Sequence, residues 1–180
     1  MTLDWTILNG IQEIFKCDFL DMVIPKITAL GNAGIIWIII GVCLLISKKH
    51  RKEGFLVLIG LLIGLIIGNG LVKNLVARER PCWIYSDYKL LIPNPKDFSF
   101  PSGHTQASVI AATILTMYNK KWGFIVIPLA VLIAFTRLYL YVHFPSDVLA
   151  GAVMGLVIGA GTYIVGSKIF RKIETQKKAS

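Results

Sequence analysis

Two histidines, a carboxylate and several cations fall in three groups along the chain. Lys73 is followed seven residues later by Arg80 and then Pro81; Pro101-Ser102-Gly103-His104 forms the second group; Thr136-Arg137, His143 and Asp147 form the third. Arginine's planar fork suits bidentate phosphate binding, and lysine adds a point charge. Histidine is a nucleophile near neutral pH because a useful fraction of it is unprotonated. A carboxylate one turn past a histidine, as Asp147 is past His143, can accept the ring N–H, fix the tautomer and stabilise the charged ring. The other ring nitrogen is then free to attack phosphorus. Together the three groups describe a phosphate pocket with a nucleophile.

Each group also has a plainer reading. A lysine at the edge of an apolar stretch can snorkel to the interface, and Arg78 and Arg80 alone would serve as lipid-headgroup contacts. On a helix, Lys73 and Arg80 share a face about 10 Å apart along the axis, before Pro81 stops the helix. Ser102 is an N-cap, the N–H groups after it make an anion site, and Gly103 removes a side chain that would hold phosphate away. His104, in the first turn, can reach a phosphate ester as general acid, or can simply cap the helix. Asp147 alone would complement a helix dipole, with Pro145 suited to that helix's first turn. That leaves Arg137 unexplained. The carboxylates are too few and too scattered for a dinuclear centre and no two histidines lie one turn apart, so neither metal nor cofactor is expected.

These residues must be held by a membrane fold, because 55% of the 180 residues are hydrophobic and only 16% charged. Apolar stretches run over 23–46, 55–76, 105–118, 122–141 and 148–170. The expected architecture is all-α: a single domain over 1–180, an integral membrane bundle of five transmembrane helices. The third stretch spans a bilayer only if its helix begins near Ser102. Residues 1–20 carry apolar side chains at helical spacing and predict an amphipathic interfacial helix, with a sixth span as the alternative. Asp4 and the lack of a basic extreme N-terminus argue against a cleaved signal peptide. The segment 78–101, broken by Pro81, Pro93, Pro95 and Pro101, is expected to be an outward loop, and 171–180 a basic cytoplasmic tail.

The net charge of +9 does not imply nucleic acid. Eleven of the 19 cations lie in three segments, at 48–52, at 120–121 and from Lys168 onward, which five spans place on one side. The positive-inside rule makes that side cytoplasmic and puts the three groups on the outer face. Cys17, Cys43 and Cys82 share no ligand spacing and are expected to be unpaired filler. Two ladders of small residues four apart, Gly60-Gly64-Gly68 and Gly151-Gly155-Gly159, allow close helix packing. They are expected to bring Lys73 and Arg80 towards His143 and Asp147, with homodimerisation as their alternative use.

The spacing Lys73, six residues, Arg80-Pro81, then Pro101-Ser102-Gly103-His104, then Arg137, five residues, His143, three residues, Asp147 resembles the three motifs of the type 2 phosphatidic acid phosphatase (PAP2) family, related to the vanadium haloperoxidases. One departure is Thr136, where the third motif usually opens with serine. The resemblance implies a metal-independent membrane phosphatase in which His143 becomes a phosphohistidine, Asp147 orients it and His104 protonates the leaving oxygen. Lys73, Arg80, Ser102, Gly103 and Arg137 would hold the phosphoryl oxygens. The expected substrate is a lipid phosphate or diphosphate, first an isoprenyl diphosphate such as undecaprenyl diphosphate, at the outer face of a bacterial plasma membrane. Phosphatidic acid, phosphatidylglycerol phosphate and phosphoryl transfer to an acceptor are the alternatives.

Overall fold

The computed structural model describes residues 2–179, with the side chains of Lys178 and Ala179 left out; Met1 and Ser180, at the ends of the expected N-terminal helix and basic tail, lie outside the described residues. Every regular element described is helical. The elements are α1 (Leu3–Phe15), α2 (Asp18–Leu30), α3 (Ile35–Ile46), α4 (Arg51–Gly64), α5 (Lys73–Val76), α6 (Pro81–Ile84), α7 (Gly103–Tyr118), α8 (Lys120–Tyr139) and α9 (Pro145–Ala179). A single 3₁₀ turn, Asn32–Gly34, joins α2 to α3, and a π-helical stretch, Leu65–Val72, joins α4 to α5.

α7 is the axis of the bundle. At 16 residues it is about 24 Å long, and α4, α8 and α9 pack around it. Its buried residues are a mixture of Ile110, Ile114 and Leu115 with Ala111, Ala112, Thr105, Gln106 and Ser108. Small and short polar side chains let neighbouring backbones come close where lipid supplies no hydrophobic drive between helices. In the interior, Trp37 Nε1 donates to Ser108 Oγ at 2.9 Å, tying α3 to α7. Both glycine ladders face α7. A Cβ at Gly64 would come within 2.4 Å of Ile110, and one at Gly155 within 2.8 Å of the Gln106 carbonyl. The ladders therefore bring α4 and α9 together around α7, with α4 also touching α9 directly. Their small faces are used inside the bundle, which removes the seam on which the alternative homodimer depended.

Three stretches among the described residues are long and apolar enough to cross a membrane, 51–84, Lys120–Tyr139 and Pro145–Lys177; α2 with the 3₁₀ turn and α3 adds a fourth if the pair, bent by 44°, is one broken span. The chain is thus an all-helical integral membrane protein. The uninterrupted helix expected over 23–46 is broken because Ala33 and Gly34 adopt left-handed backbone angles. The amphipathic helix expected over 1–20 ends at Phe15, and α2 begins at Asp18. α1 buries Leu8 against Tyr141 and Phe144 while Leu3 and Ile14 stay exposed.

Lys73 and Arg80 do not share a helix. α5 stops at Val76 because Ala77 takes a left-handed conformation, and Pro81, instead of stopping a helix, opens α6 at its first turn. The segment 78–101 is otherwise irregular.

Candidate active site

The three groups converge on one cavity of about 980 Å³. Lys73, Arg80, Gly103, His104, Arg137 and His143 all line it. Ser102 and Asp147 are buried behind them. Ser102 caps α7, accepting from Thr105 Oγ1 at 3.0 Å, and its own N–H donates to the Asp147 carbonyl at 3.0 Å. The start of α7 is thereby fixed to the start of α9.

His143 stands in the turn between α8 and α9. Arg80 Nη1 lies 3.1 Å from its Nε2. A guanidinium only donates, so Nε2 presents its lone pair and the ring proton resides on Nδ1. Nδ1 lies 3.4 Å from Ser99 Oγ and 3.6 Å from Asp147 Oδ2. The direct hydrogen bond expected between His143 and Asp147 is therefore not made, and the Ser99 hydroxyl sits beside the gap, donating to Asp147 Oδ2 at 2.5 Å. The Phe144 N–H donates to the same oxygen at 2.8 Å. Burial first, then the positive charges of Arg80, Arg137 and Lys73, hold the His143 pKa well below the ordinary histidine value.

The cations differ in their compensation. Lys73 Nζ donates to Asp97 Oδ2 at 2.5 Å, and Arg80 donates to Asp97 Oδ1 at 2.9 Å and to the Asp97 and Val142 carbonyls at 2.7 Å. Burial of Asp97 opposes its ionisation, but the Lys73 hydrogen bond, the Lys73 charge and the Arg80 charge outweigh it and hold its pKa down to about 2. Arg137 is only 4% exposed, and its one hydrogen bond goes to a neutral group, Thr28 Oγ1 at 2.6 Å. Its Nε has no partner, and no carboxylate among the described residues lies within ion-pair distance of it. Such a buried cation is costly unless an anion joins it.

Residues that sequence reasoning did not single out complete the site. Besides Asp97, Ser99 and Thr28, Asn32 in the break between α2 and α3 lies 3.0 Å from His104 Nε2. Asn69 sits against Gly103, where an added Cβ would meet its Oδ1 at 2.9 Å. Gly103 thus admits a neighbouring amide. Asp97 is one of three acids in the 78–101 loop, with Glu79 and Asp87, and only its place just ahead of the Ser102 group sets it apart in the sequence. Away from the polar end, the same cavity is walled by Ile38, Leu58, Leu61, Leu62 and Leu65.

A helical membrane bundle with histidines, cations and a helix N-terminus around one cavity defines a class of membrane-embedded enzyme site. The PAP2 superfamily model matches residues 53–171, and the chain belongs to that superfamily. It is 36% identical over 146 residues to an undecaprenyl-diphosphatase of Sulfolobus acidocaldarius, covering 80% of this chain and 70% of that one. Among solved structures, Aquifex aeolicus LpxE superposes with a TM-score of 0.78 at 26% identity, covering 90% of this chain and 95% of that one. A PAP2-type phosphatidylglycerolphosphate phosphatase from Bacillus subtilis superposes with a TM-score of 0.71 at 27% identity, covering 94% and 85%.

Proposed function

We propose that the chain is a membrane phosphatase that hydrolyses lipid phosphates or diphosphates through a phosphohistidine at His143, with an isoprenyl diphosphate such as undecaprenyl diphosphate as first substrate. The observation that carries this reading is Arg137, a buried cation without a carboxylate partner on the same cavity as the His143 Nε2 lone pair. A phosphate dianion would compensate it, with Lys73, Arg80 and the first N–H groups of α7 holding the remaining oxygens. Nε2, freed from Arg80 as the guanidinium turns to the phosphate, attacks phosphorus as the bond to the leaving oxygen breaks, and His104, protonated once the bound phosphate anion offsets Arg137, Arg80 and Lys73, gives that oxygen a proton. Asp147 and Ser99 take up the charge that develops on the His143 ring. Water then attacks the phosphohistidine, losing a proton to His104, and inorganic phosphate leaves. No step requires a metal.

The apolar continuation of the cavity past Leu61 and Leu65 supports a lipid leaving group, and the 36% identical relative is named for an isoprenyl diphosphate. Phosphatidylglycerol phosphate is the second reading, favoured by the 27% identical Bacillus subtilis phosphatase, which is named for that lipid. Counting the broken α2–α3 pair and α7 with the three long helices gives five crossings. With Lys48, Lys49, Lys120, Lys121 and the basic end of α9 at one end of the bundle and cytoplasmic, the cavity mouth opens to the outer face at headgroup depth.

The test is phosphate release from a panel of lipid phosphates in detergent by the native protein and by His143→Ala, with and without a chelator. The isoprenyl diphosphate is expected to turn over fastest, and the variant to lose release entirely. Full release by His143→Ala would refute the mechanism, and loss of release with the chelator would refute metal independence. Label appearing on an added acceptor instead of in free phosphate would turn the assignment to phosphoryl transfer.

A further inference from the structure

Arg78 lies outside the cavity wall, yet it is bound to the residue that orients the nucleophile. Its Nη1 donates to Asp147 Oδ1 at 2.7 Å and to Ser146 Oγ at 2.7 Å, its Nη2 donates to Asp4 Oδ2 at 2.7 Å, and its guanidinium stacks 4.1 Å above the Phe144 ring. Asp4, in the first turn of α1, also accepts from the Ser146 N–H at 2.9 Å and from Ser146 Oγ at 2.6 Å. A continuous polar chain thus runs from α1 through Arg78 to Asp147 and His143.

The two oxygens of Asp147 are divided. Oδ2 serves Ser99, the Phe144 N–H and His143, while Oδ1 has Arg78. Asp147 is fully buried, whereas Arg78 is part exposed, with 30% of its side chain open. Arg78 is therefore the charged partner of this buried carboxylate and holds it in the rotamer that faces His143.

We propose that Arg78 and Asp4 are positioning residues for catalysis: Arg78 fixes and partly neutralises Asp147, and Asp4 of α1 in turn fixes and partly neutralises Arg78. This rests on the reading of His143 as nucleophile only for its kinetic consequence; the electrostatic coupling holds whatever the substrate. Loss of the Arg78 charge leaves Asp147 more negative, so His143 binds its proton more tightly. Loss of the Asp4 charge leaves Arg78 more fully on Asp147, so His143 binds its proton less tightly. The other charged or titratable groups facing His143 are Arg80, Arg137, Lys73 and His104, with Asp97 on Lys73 and Arg80, and all of them are unchanged in both variants.

The experiment uses the full-length protein in detergent micelles, with Arg78→Gln, Arg78→Lys and Asp4→Asn. The first readout is histidine nitrogen NMR against pH, with the His143 signal assigned by its loss in His143→Gln. The second is kcat and KM against pH for phosphate release from an isoprenyl diphosphate. Arg78→Gln is expected to raise the proton affinity of His143 on the order of tenfold, to move the acid limb of kcat/KM upward with it, and to lower kcat more than KM changes. Asp4→Asn is expected to move the titration and the limb the other way, and Arg78→Lys to restore most of the native titration. Unmoved titrations, or shifts of the same sign in Arg78→Gln and Asp4→Asn, would overturn the proposal. If Arg78→Gln does not fold, as judged by gel filtration, the opposite-signed shift of Asp4→Asn and the near-native titration of Arg78→Lys decide it. The expected NMR shifts without any turnover would refute the phosphatase reading and leave the coupling standing.

Discussion

Asp97 occupies the two cations proposed to hold phosphate, so replacing it with asparagine should tighten phosphate binding. In the structure one carboxylate bridges Lys73 at 2.5 Å and Arg80 at 2.9 Å while 57% of its side chain remains open to solvent. Solvent screening discounts each pair to about 0.2–1 kcal/mol. Two such pairs total about 1 kcal/mol, with about 2 kcal/mol as the ceiling, and at 1.36 kcal/mol per tenfold this is roughly 5- to 30-fold in affinity. Asp97→Asn removes the charge and keeps the backbone carbonyl that accepts from Arg80 Nε at 2.7 Å, so Arg80 stays oriented. The assay is inhibition of labelled-lipid turnover by inorganic phosphate, from which an inhibition constant is obtained for both proteins. The variant should be inhibited at severalfold lower phosphate, with a modest fall in kcat as product release slows. Asp97 should add no pH dependence of its own in the working range. The Asp97 pKa is lowered to about 2, so the ionised carboxylate is present above the ordinary carboxylate range and is lost only as pH falls through about 2. Unchanged or weaker phosphate inhibition in Asp97→Asn would refute the competition and show that the carboxylate serves only to hold Lys73 and Arg80 in place.

Arg137→Met should cut kcat/KM by about 10² to 10³ while thermal stability stays level or rises, because a buried charge without a carboxylate partner is removed; a fall in stability matching the fall in activity would count against this. Catalysis requires unprotonated His143, and burial with Arg80 and Arg137 lowers its pKa, so kcat/KM should be retained as pH falls to the ordinary histidine value of about 6.5. A pH–rate profile with its acid limb at or above that value would contradict the assignment. Gly155→Val should lower stability by about 1–3 kcal/mol, read as a drop in melting temperature in micelles, since a Cβ there meets the Gln106 carbonyl and Val109 at 2.8 Å.

The residues proposed for catalysis could be picked out because each motif is local. Ser102, Gly103 and His104 are adjacent, so their placement follows from a helix start, and His143 and Asp147 are only four residues apart, so both fall at the start of α9. The helical membrane class was legible from the apolar stretches for the same reason. What the sequence withheld lies where the backbone departs from regular period. The left-handed residues Ala33 and Gly34 break the first span and set Asn32 beside His104, and left-handed Ala77 takes Arg80 off the helix of Lys73. Neither alanine carries a turn signal. Asp97 and Ser99 come from an irregular loop whose path is fixed by long-range partners, Lys73, Arg78, Arg80 and Asp147, and not by any regular element. Asp4 is still less visible, 142 residues from Ser146 in sequence, and it joins the site only because α1 lies across the start of α9.

The glycine ladders show how one pattern can be correctly read for proximity and misjudged for surface. Their expected effect, bringing Lys73 and Arg80 near His143 and Asp147, is what the structure contains, but the means is a third helix. α7 is approached by α4 and the π-helical stretch after it through Gly60, Gly64 and Gly68, and by α9 through Gly151, Gly155 and Gly159. A helix that carries Ser102, Gly103 and His104 at its top must have neighbours close on both flanks if the cations from one are to meet His143, held beside Asp147, at the start of the other. Interaxial distances of about 8–10 Å are usual, and small residues permit the shorter ones. The ladders belong to the site as much as the residues that line it.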